Sequence, residues 1–233
     1  MSKDLELETY LSISPQKLGI YLFDINNQKN LYKEELIINE NTNYNEKDLL
    51  KNFLDDNIFK LEKLIGNFIE NIILIIENEK IFNLQIGIKK KNYNSFINIK
   101  NLKNHLIEAK DLFKENYQNE KIMHIIINKY FIDGKNYHSI DNNLECEQLG
   151  LEIQFKSISS SFIYDLDKIL EKYQIKIIKY LDGNYIKNFF KEKIDISEMT
   201  YKILTGYNEN EVLVIPRNPK KLAFFERFFQ LFS

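Results

Sequence analysis

Apolar residues near the end of the chain fall on a helical period, the sharpest pattern in it. At about 100° per residue, Leu222, Phe224, Phe225, Phe228, Phe229, Leu231 and Phe232 share one half of the wheel. Ala223, Glu226, Arg227 and Gln230 take the other, and Arg217, Lys220 and Lys221 stand just upstream. A Phe-rich face beside a basic shoulder is the pattern of a helix lying in a membrane interface. Lys220, Lys221 and Arg227, with the apolar residues of that face, are therefore the candidate lipid-contacting residues. The competing readings fold the same helix back onto the body, the usual fate of an amphipathic helix, or seat it in a groove of another protein.

Magnitudes bound what such a tail can do. Fully burying a Phe or Leu side chain is worth about 1.5–3 kcal/mol. Only part of each ring leaves water at an interface, and ordering the helix costs entropy. The remainder is comparable to a single lipid anchor, which binds reversibly. Each nearby Lys or Arg adds about 1 kcal/mol on an anionic leaflet. Clustered copies would stay bound where a lone one exchanges, because linked tails act by effective concentration.

Elsewhere the pattern alternates between periods. Thr9–Ser14 and Leu18–Asp24 predict two strands around Pro15, Gln16 and Lys17, and Lys29–Asn39 predicts a third. A helix follows over Glu46–Glu70, with Leu50, Phe53, Leu54, Leu61, Leu64, Ile65, Phe68 and Ile69 on one stripe. Ile72–Glu77 is continuously apolar, as a strand covered on both faces is. Ile81–Lys89 alternates, Ile99–Asn116 is helical, and Ile122–Asp133 and Leu149–Ile158 are strands. Phe162–Tyr173 predicts a helix started by Ser159, Ser160 and Ser161. Ile175–Leu181 is a strand again, and Gly183–Lys191 opens another helix. Ile194–Pro216 has no clear period; it predicts a linker with one short helix and a Val212–Ile215 strand.

Composition narrows the class. The chain has 233 residues, room for one or two domains with a real core. Its net charge of −2 disfavours a whole-protein nucleic-acid role. Cys146 is the only cysteine, so no disulfide forms within the chain, which fits a reducing cytoplasm. The polar, acidic start is not a signal peptide. The run Ile72–Ile76 is too short to span a bilayer.

Candidate chemistry is sparse. His105, His124 and His138 fall on a helix, a strand and a loop, without partners at metal-ligand spacing, and read as packed or surface histidines. Glu145 and Glu147 flank Cys146, which would raise a thiol pKa rather than activate it. Asp55 and Asp56 read as a solvated helix face. Lys89, Lys90 and Lys91, with Lys100 and Lys103 near in sequence, read as a solvated strand end or as a patch for an acidic tail or anionic lipid. Neither a dinucleotide nor a Walker-type glycine loop is present. No catalytic, cofactor-binding or metal residue is assigned.

The order of elements resembles the N-terminal half of FtsA, the actin-like bacterial cell-division protein. The matching stretch is Asn101–Tyr185: the helix Leu102–Lys110, the strand Ile122–Asp133 with its His124, Ile125, Ile126, Tyr130, Phe131 and Asp133, then Leu151–Lys156, Leu166–Tyr173 and Ile175–Leu181. FtsA members also end in an amphipathic membrane-targeting helix after a linker. The resemblance implies an α+β fold: a partial actin-like (ribonuclease-H-like) 1A subdomain, an inserted strand-helix-strand-strand 1C-type subdomain, and a C-terminal amphipathic helix. It divides the chain into a body at 1–79 and 175–192, an insert at 80–174, a linker at 193–217 and the helix at 218–233.

The implied function is a septal-ring adaptor, peripheral on the cytoplasmic face of the inner membrane at the division site. Its partners would be the lipid surface and other division proteins, with self-association possible and no nucleic acid or cofactor. Departures limit the carry-over. The family's acidic residue and glycine are missing at Ser12–Lys17, where its first hairpin approaches phosphate. The chain is expected to lack the second half of the actin fold, with its phosphate loop, adenine pocket and FtsZ-binding subdomain. The alternatives are a degenerate actin-like ATPase, or a soluble interaction module of another actin-like assembly system such as a pilus platform.

Overall fold

A computed structural model describes residues 6–38, 46–97, 99–140, 144–191 and 194–212, the side chains of 93–95 and 99–101 excepted. The chain divides into two compact units. A body comprises Met1–Lys80 and Ser160–Tyr201, and an insert comprises Ile81–Ser159 and Lys202–Ser233.

The body begins with the antiparallel strands β1 (Leu7–Ser14), β2 (Lys17–Asp24) and β3 (Lys29–Ile37). Helix α1 (Glu46–Ile65) leads to β4 (Asn71–Ile76), which runs parallel to β1. Chain order then passes through the insert. The body resumes with α3 (Ser160–Glu171), β9 (Lys176–Asp182) parallel to β4, α4 (Gly183–Phe189) and α5 (Ile196–Leu204), the last three residues of which fall in the insert. Strand order is β3-β2-β1-β4-β9.

Both faces of this sheet are covered, which explains the unbroken run from Ile72 to Ile76, every residue of it buried. On one face lie α1 and α3, whose Leu50 and Leu166 line a cleft together with Ile13 and Leu18. On the other, Tyr10 packs on Phe23, and Phe23 on Tyr201 of α5 with ring centroids 5.4 Å apart. The α1 stripe works as its period predicts: Leu50, Phe53, Leu54, Ile58 and Leu61 are buried. It stops at Gly66, whose φ of +69° is the left-handed turn that ends helices. Leu64 and Phe68, on the predicted stripe, are instead exposed beyond the last packed turn.

In the insert, β5 (Phe82–Phe96), α2 (Ile99–Asn116), β6 (Glu120–Ile132), β7 (Lys135–Tyr137) and β8 (Glu145–Ser159) follow in order. They build an antiparallel sheet ordered β5-β8-β6-β7. The expected strand-helix-strand-strand pattern is there, with the three-residue β7 added. Leu102, Leu106, Ala109 and Phe113 of α2 pack on Leu149, Leu151, Ile153 and Phe155 of β8, and Phe113 stacks on Phe155 at 4.9 Å. β8 runs straight into α3, so α3, placed in the insert on the sequence, falls in the body.

The expected linker is only partly one. α5 buries Ile196, Met199, Ile203 and Leu204 together with Ser197 and Thr200. Past it, Ile127 N–H donates to Asn210 O (2.9 Å) and Val212 N–H to Ile125 O (2.8 Å), which adds residues 210–212 to the β6 edge. Of the expected Val212–Ile215 strand, Val212 takes part in this pairing, and residues 213–215 lie outside the described residues. Among the described residues no helix is long and apolar enough to cross a membrane. The fold class is the expected α+β one: a body built on a five-stranded mixed sheet, with an inserted subdomain built on a four-stranded antiparallel sheet.

Candidate functional site

The carboxyl ends of parallel strands are where open α/β sheets bind ligands, and in the body those ends are Ser14, Ile76 and Asp182. Each is tied locally. β1 and β2 turn on Pro15 and Gln16, with Ser14 Oγ donating to Lys17 O at 2.9 Å and Ile38 N–H to Gln16 O at 2.8 Å. After β4, Glu77 N–H donates to Ile13 O (2.9 Å), and its carboxylate pairs with Lys187 of α4 at 2.7 Å. Asp182 caps α4, accepting from Asn184 and Tyr185 N–H at 2.9 and 3.2 Å. Gly183 sits so close to this corner that a Cβ there would lie 2.6 Å from Glu77 Cγ.

Beside these ends, between α1 and α3, opens a cleft of about 300 Å³. Its walls are mainly apolar: Ile13 and Leu18 from the hairpin, Leu50 from α1, and Phe162, Leu166 and Ile169 from α3. Lys47 and Asp165 pair at its rim, 2.9 Å apart. A phosphate site needs backbone N–H groups turned toward the anion. Here Pro15 has no N–H, and the carboxylates of Glu77 and Asp182 are engaged within the body. The walls suit an apolar side chain.

The structure also places the residues singled out in the sequence. Lys220, Lys221, Leu222, Phe224, Phe225, Arg227, Phe228, Phe229, Leu231 and Phe232 lie outside the described residues. His105 is buried on α2 with Nε2 3.1 Å from Leu149 O. His124 is buried on β6 with Nδ1 2.6 Å from Glu211 Oε1, and this pair had no sequence signal because 87 positions separate its members. His138 is exposed, its carbonyl accepting from Asn210 Nδ2. Among the described residues no group of His, Cys, Asp and Glu is placed to hold a metal ion.

Cys146 is buried, and burial first of all pushes its thiol up. Asn92 Nδ2–H, 3.3 Å from Sγ, works against that, and Asp133 adds to it. The acidic neighbours in sequence are not the cause. Asp55 is exposed, as a solvated helix face requires, and it also accepts from Lys172 Nζ (2.7 Å) and Tyr173 O–H (2.8 Å), which join α1 to the turn after α3 and hold its carboxyl below the usual range. Lys90 pairs with Glu108 of α2, while Lys89 and Lys91 are exposed.

No family model and no curated protein matches the chain. Solved structures of similar architecture are found. One is a PilM–PilN type IV pilus biogenesis complex, at 10% identity and TM-score 0.49, over 78% of this chain and 49% of that one. Another is the cytoplasmic domain of EpsL, an inner-membrane component of the type II secretion system of Vibrio cholerae, at 7% identity and TM-score 0.33 over 78% and 57%. A third is a Bacteroides thetaiotaomicron protein with an actin-like ATPase fold and unknown function, at 15% identity and TM-score 0.37 over 81% and 57%. The chain thus spans about half the length of the structures it resembles.

Proposed function

We propose that the chain is an actin-like assembly adaptor of the FtsA type, which binds and tethers and carries out no chemical step. The helix over 218–233 holds it on the cytoplasmic face of the bacterial inner membrane, and the insert meets other cell-division proteins at the division site. The observation that carries this reading is the cleft at the carboxyl ends of β1 and β4. Where an actin-like ATPase turns backbone N–H groups toward phosphate, this chain has Pro15 and a wall of Leu18, Leu50, Phe162 and Leu166. Such a wall binds apolar groups and offers a triphosphate little.

Co-sedimentation with vesicles containing phosphatidylglycerol tests the tether. The wild type is expected to pellet with lipid, and Phe225→Asp/Phe229→Asp to lose at least about tenfold in partitioning, since each aspartate replaces a ring worth about 1.5–3 kcal/mol when fully buried. Equal partitioning of the two proteins removes the tether. ATP is expected to leave the melting temperature unchanged, and an ATP-dependent rise restores the degenerate ATPase.

One observation favours a second reading, a soluble module of another actin-like assembly system with its tail packed on the fold. Residues 210–212 are stitched to β6, so the stretch just before residue 213 already belongs to the insert. On that reading the protein ignores vesicles, and truncation after Val212 lowers its melting temperature.

A further inference from the structure

The insert sheet has one long open edge. β5 is its outermost strand, fifteen residues from Phe82 to Phe96, and among the described residues it pairs only with β8. Beyond that ladder no backbone hydrogen bond reaches residues 83–91 among the described residues. The straight part ends at a register shift between Lys91 and Ser95. Leu84, Ile86 and Ile88 turn toward the core with α2. Asn83, Gln85, Gly87, Lys89 and Lys91 are exposed, and nothing lies within 4 Å of where a Gly87 Cβ would stand.

Open edges are templates for another strand, and proteins usually blunt them with shortness or charge. β7, at the other side of the insert sheet, is three residues long. β3, an edge of the body sheet, mixes Lys29 and Lys33 with Glu34 and Glu35. β5 is long, and its charge is of one sign: Lys89, Lys90 and Lys91 with no acid between Phe82 and Phe96. Lys90 is neutralised by Glu108, which leaves Lys89 and Lys91 exposed on the side away from α2.

We propose that the β5 edge docks an extended acidic segment of a partner protein by strand addition. The partner's backbone completes the open N–H and C=O groups over residues 83–91, and its alternate carboxylates sit beside Lys89 and Lys91. Charge selects this occupant. A second copy pairing antiparallel near the lysines sets Lys against Lys, which is unfavourable. Over residues 83–91 a lipid surface would find Asn83, Gln85 and Gly87 and no exposed apolar side chain to insert; the exposed Phe96 lies beyond the register shift.

The proposal rests on the premise that the insert meets protein partners, and it is independent of the membrane tail. Its probe is a labelled synthetic peptide of about ten residues, a typical strand length at the long end, alternating Glu and Val. Binding to the full chain is followed by fluorescence anisotropy without lipid, and by hydrogen exchange of the amides in 83–91. Saturable binding is expected, with slowed exchange there. Lys89→Glu/Lys91→Glu should weaken it about tenfold, equivalent to about 1.4 kcal/mol, and a Lys–Val peptide should not bind. Phe225→Asp/Phe229→Asp should bind as the wild type does, so failure of the tether and failure of this site are separable. Absence of binding overturns the proposal, as does binding without amide protection, which marks a mere charge patch. Dimerisation that protects the same amides without peptide assigns the edge to a second copy. Retention on phosphatidylglycerol vesicles lost in Lys89→Glu/Lys91→Glu assigns it to lipid; either result overturns the proposal.

Discussion

His124 and Glu211 show how a single contact can carry an unexpected part of a fold. Their side chains are 0% and 5% exposed, and the imidazole nitrogen lies 2.6 Å from the carboxylate. Burying either group alone is costly, whereas a satisfied pair is tolerated. The pair also explains why residues 210–212 lie on β6: the backbone bonds at Asn210 and Val212 flank it. Glu211→Ala leaves the His124 nitrogen without this acceptor, and the loss expected is about 1–3 kcal/mol by urea unfolding. His124→Leu/Glu211→Leu should recover much of it, since removing both members of a buried pair removes the penalty too. A single variant as stable as the wild type would show that the pair does not hold the segment. Sequence spacing offered no access to this contact. It offered His124 as a strand residue and Glu211 as one acid in an aperiodic stretch.

Elements were legible where one period ruled and obscure where burial overrode it. Ile99–Asn116 is helical over the predicted span because Leu102, Leu106, Ala109 and Phe113 repeat on one face. α5 was blurred because its buried face includes Ser197 and Thr200; Thr200 Oγ1 donates to Ile196 O at 2.6 Å and so satisfies its own hydroxyl. β5 was cut short at Lys89 because three lysines in a row resemble a solvated end, yet an edge strand with one open face accommodates them. At the candidate site, the Ser12–Lys17 hairpin was legible as lacking an acid and a glycine. Phe162, Leu166 and Ile169 come from beyond the insert, and nothing in the sequence announced that they complete a cleft with Leu50. Between β2 and β3 the side chains set a pH response. Tyr21 O–H donates to Glu35 Oε1 at 2.7 Å, and Lys17 Nζ lies 2.9 Å from the same oxygen. Partial burial alone would raise the Glu35 carboxyl, but Tyr21, Lys17 and Lys33 outweigh it and hold the group below its ordinary value. The stability from such a depressed carboxylate is full above the unfolded value, about 4.3, and is lost as pH falls through the lower folded value. Tyr21→Phe deletes one donor and moves the folded value back toward the unfolded one. The urea midpoint of this variant should therefore change less between about pH 5 and pH 3 than that of the wild type. An unchanged acid limb would mean that the phenol does not act on Glu35.

At the scale of the molecule, the insertion point decides what can be separated. The insert leaves the body after β4 and re-enters at α3, with β8 running directly into Ser160. The body's five-stranded order needs β9 beside β4, and both strands lie outside the insert. α3 must stay with the body, because Leu166 and Ile169 line the same cleft as Leu50 and Ile13. A deletion that followed the sequence reading and removed 80–174 would therefore take α3 and the start of the return to β9. Deleting 81–159 spares both, at the cost of removing the β6 edge that holds residues 210–212. Replaced by a short glycine-containing loop, 81–159 should come out and leave a body that unfolds in one cooperative transition. On the adaptor reading, this deletion keeps vesicle binding, because the tail remains, and loses recruitment to the division site, because the partner surface is gone. Deletion of 80–174 should instead give a poorly folded chain, without native near-ultraviolet dichroism from Tyr10, Phe23 and Tyr201. If the 81–159 deletion still reaches the division site, the insert is not the partner surface. If the two deletions fold equally well, α3 is dispensable and the division of the chain at Ser160 is wrong. The two readouts respond to different segments, so the same pair of proteins tests the architecture by spectroscopy and the adaptor reading by localisation.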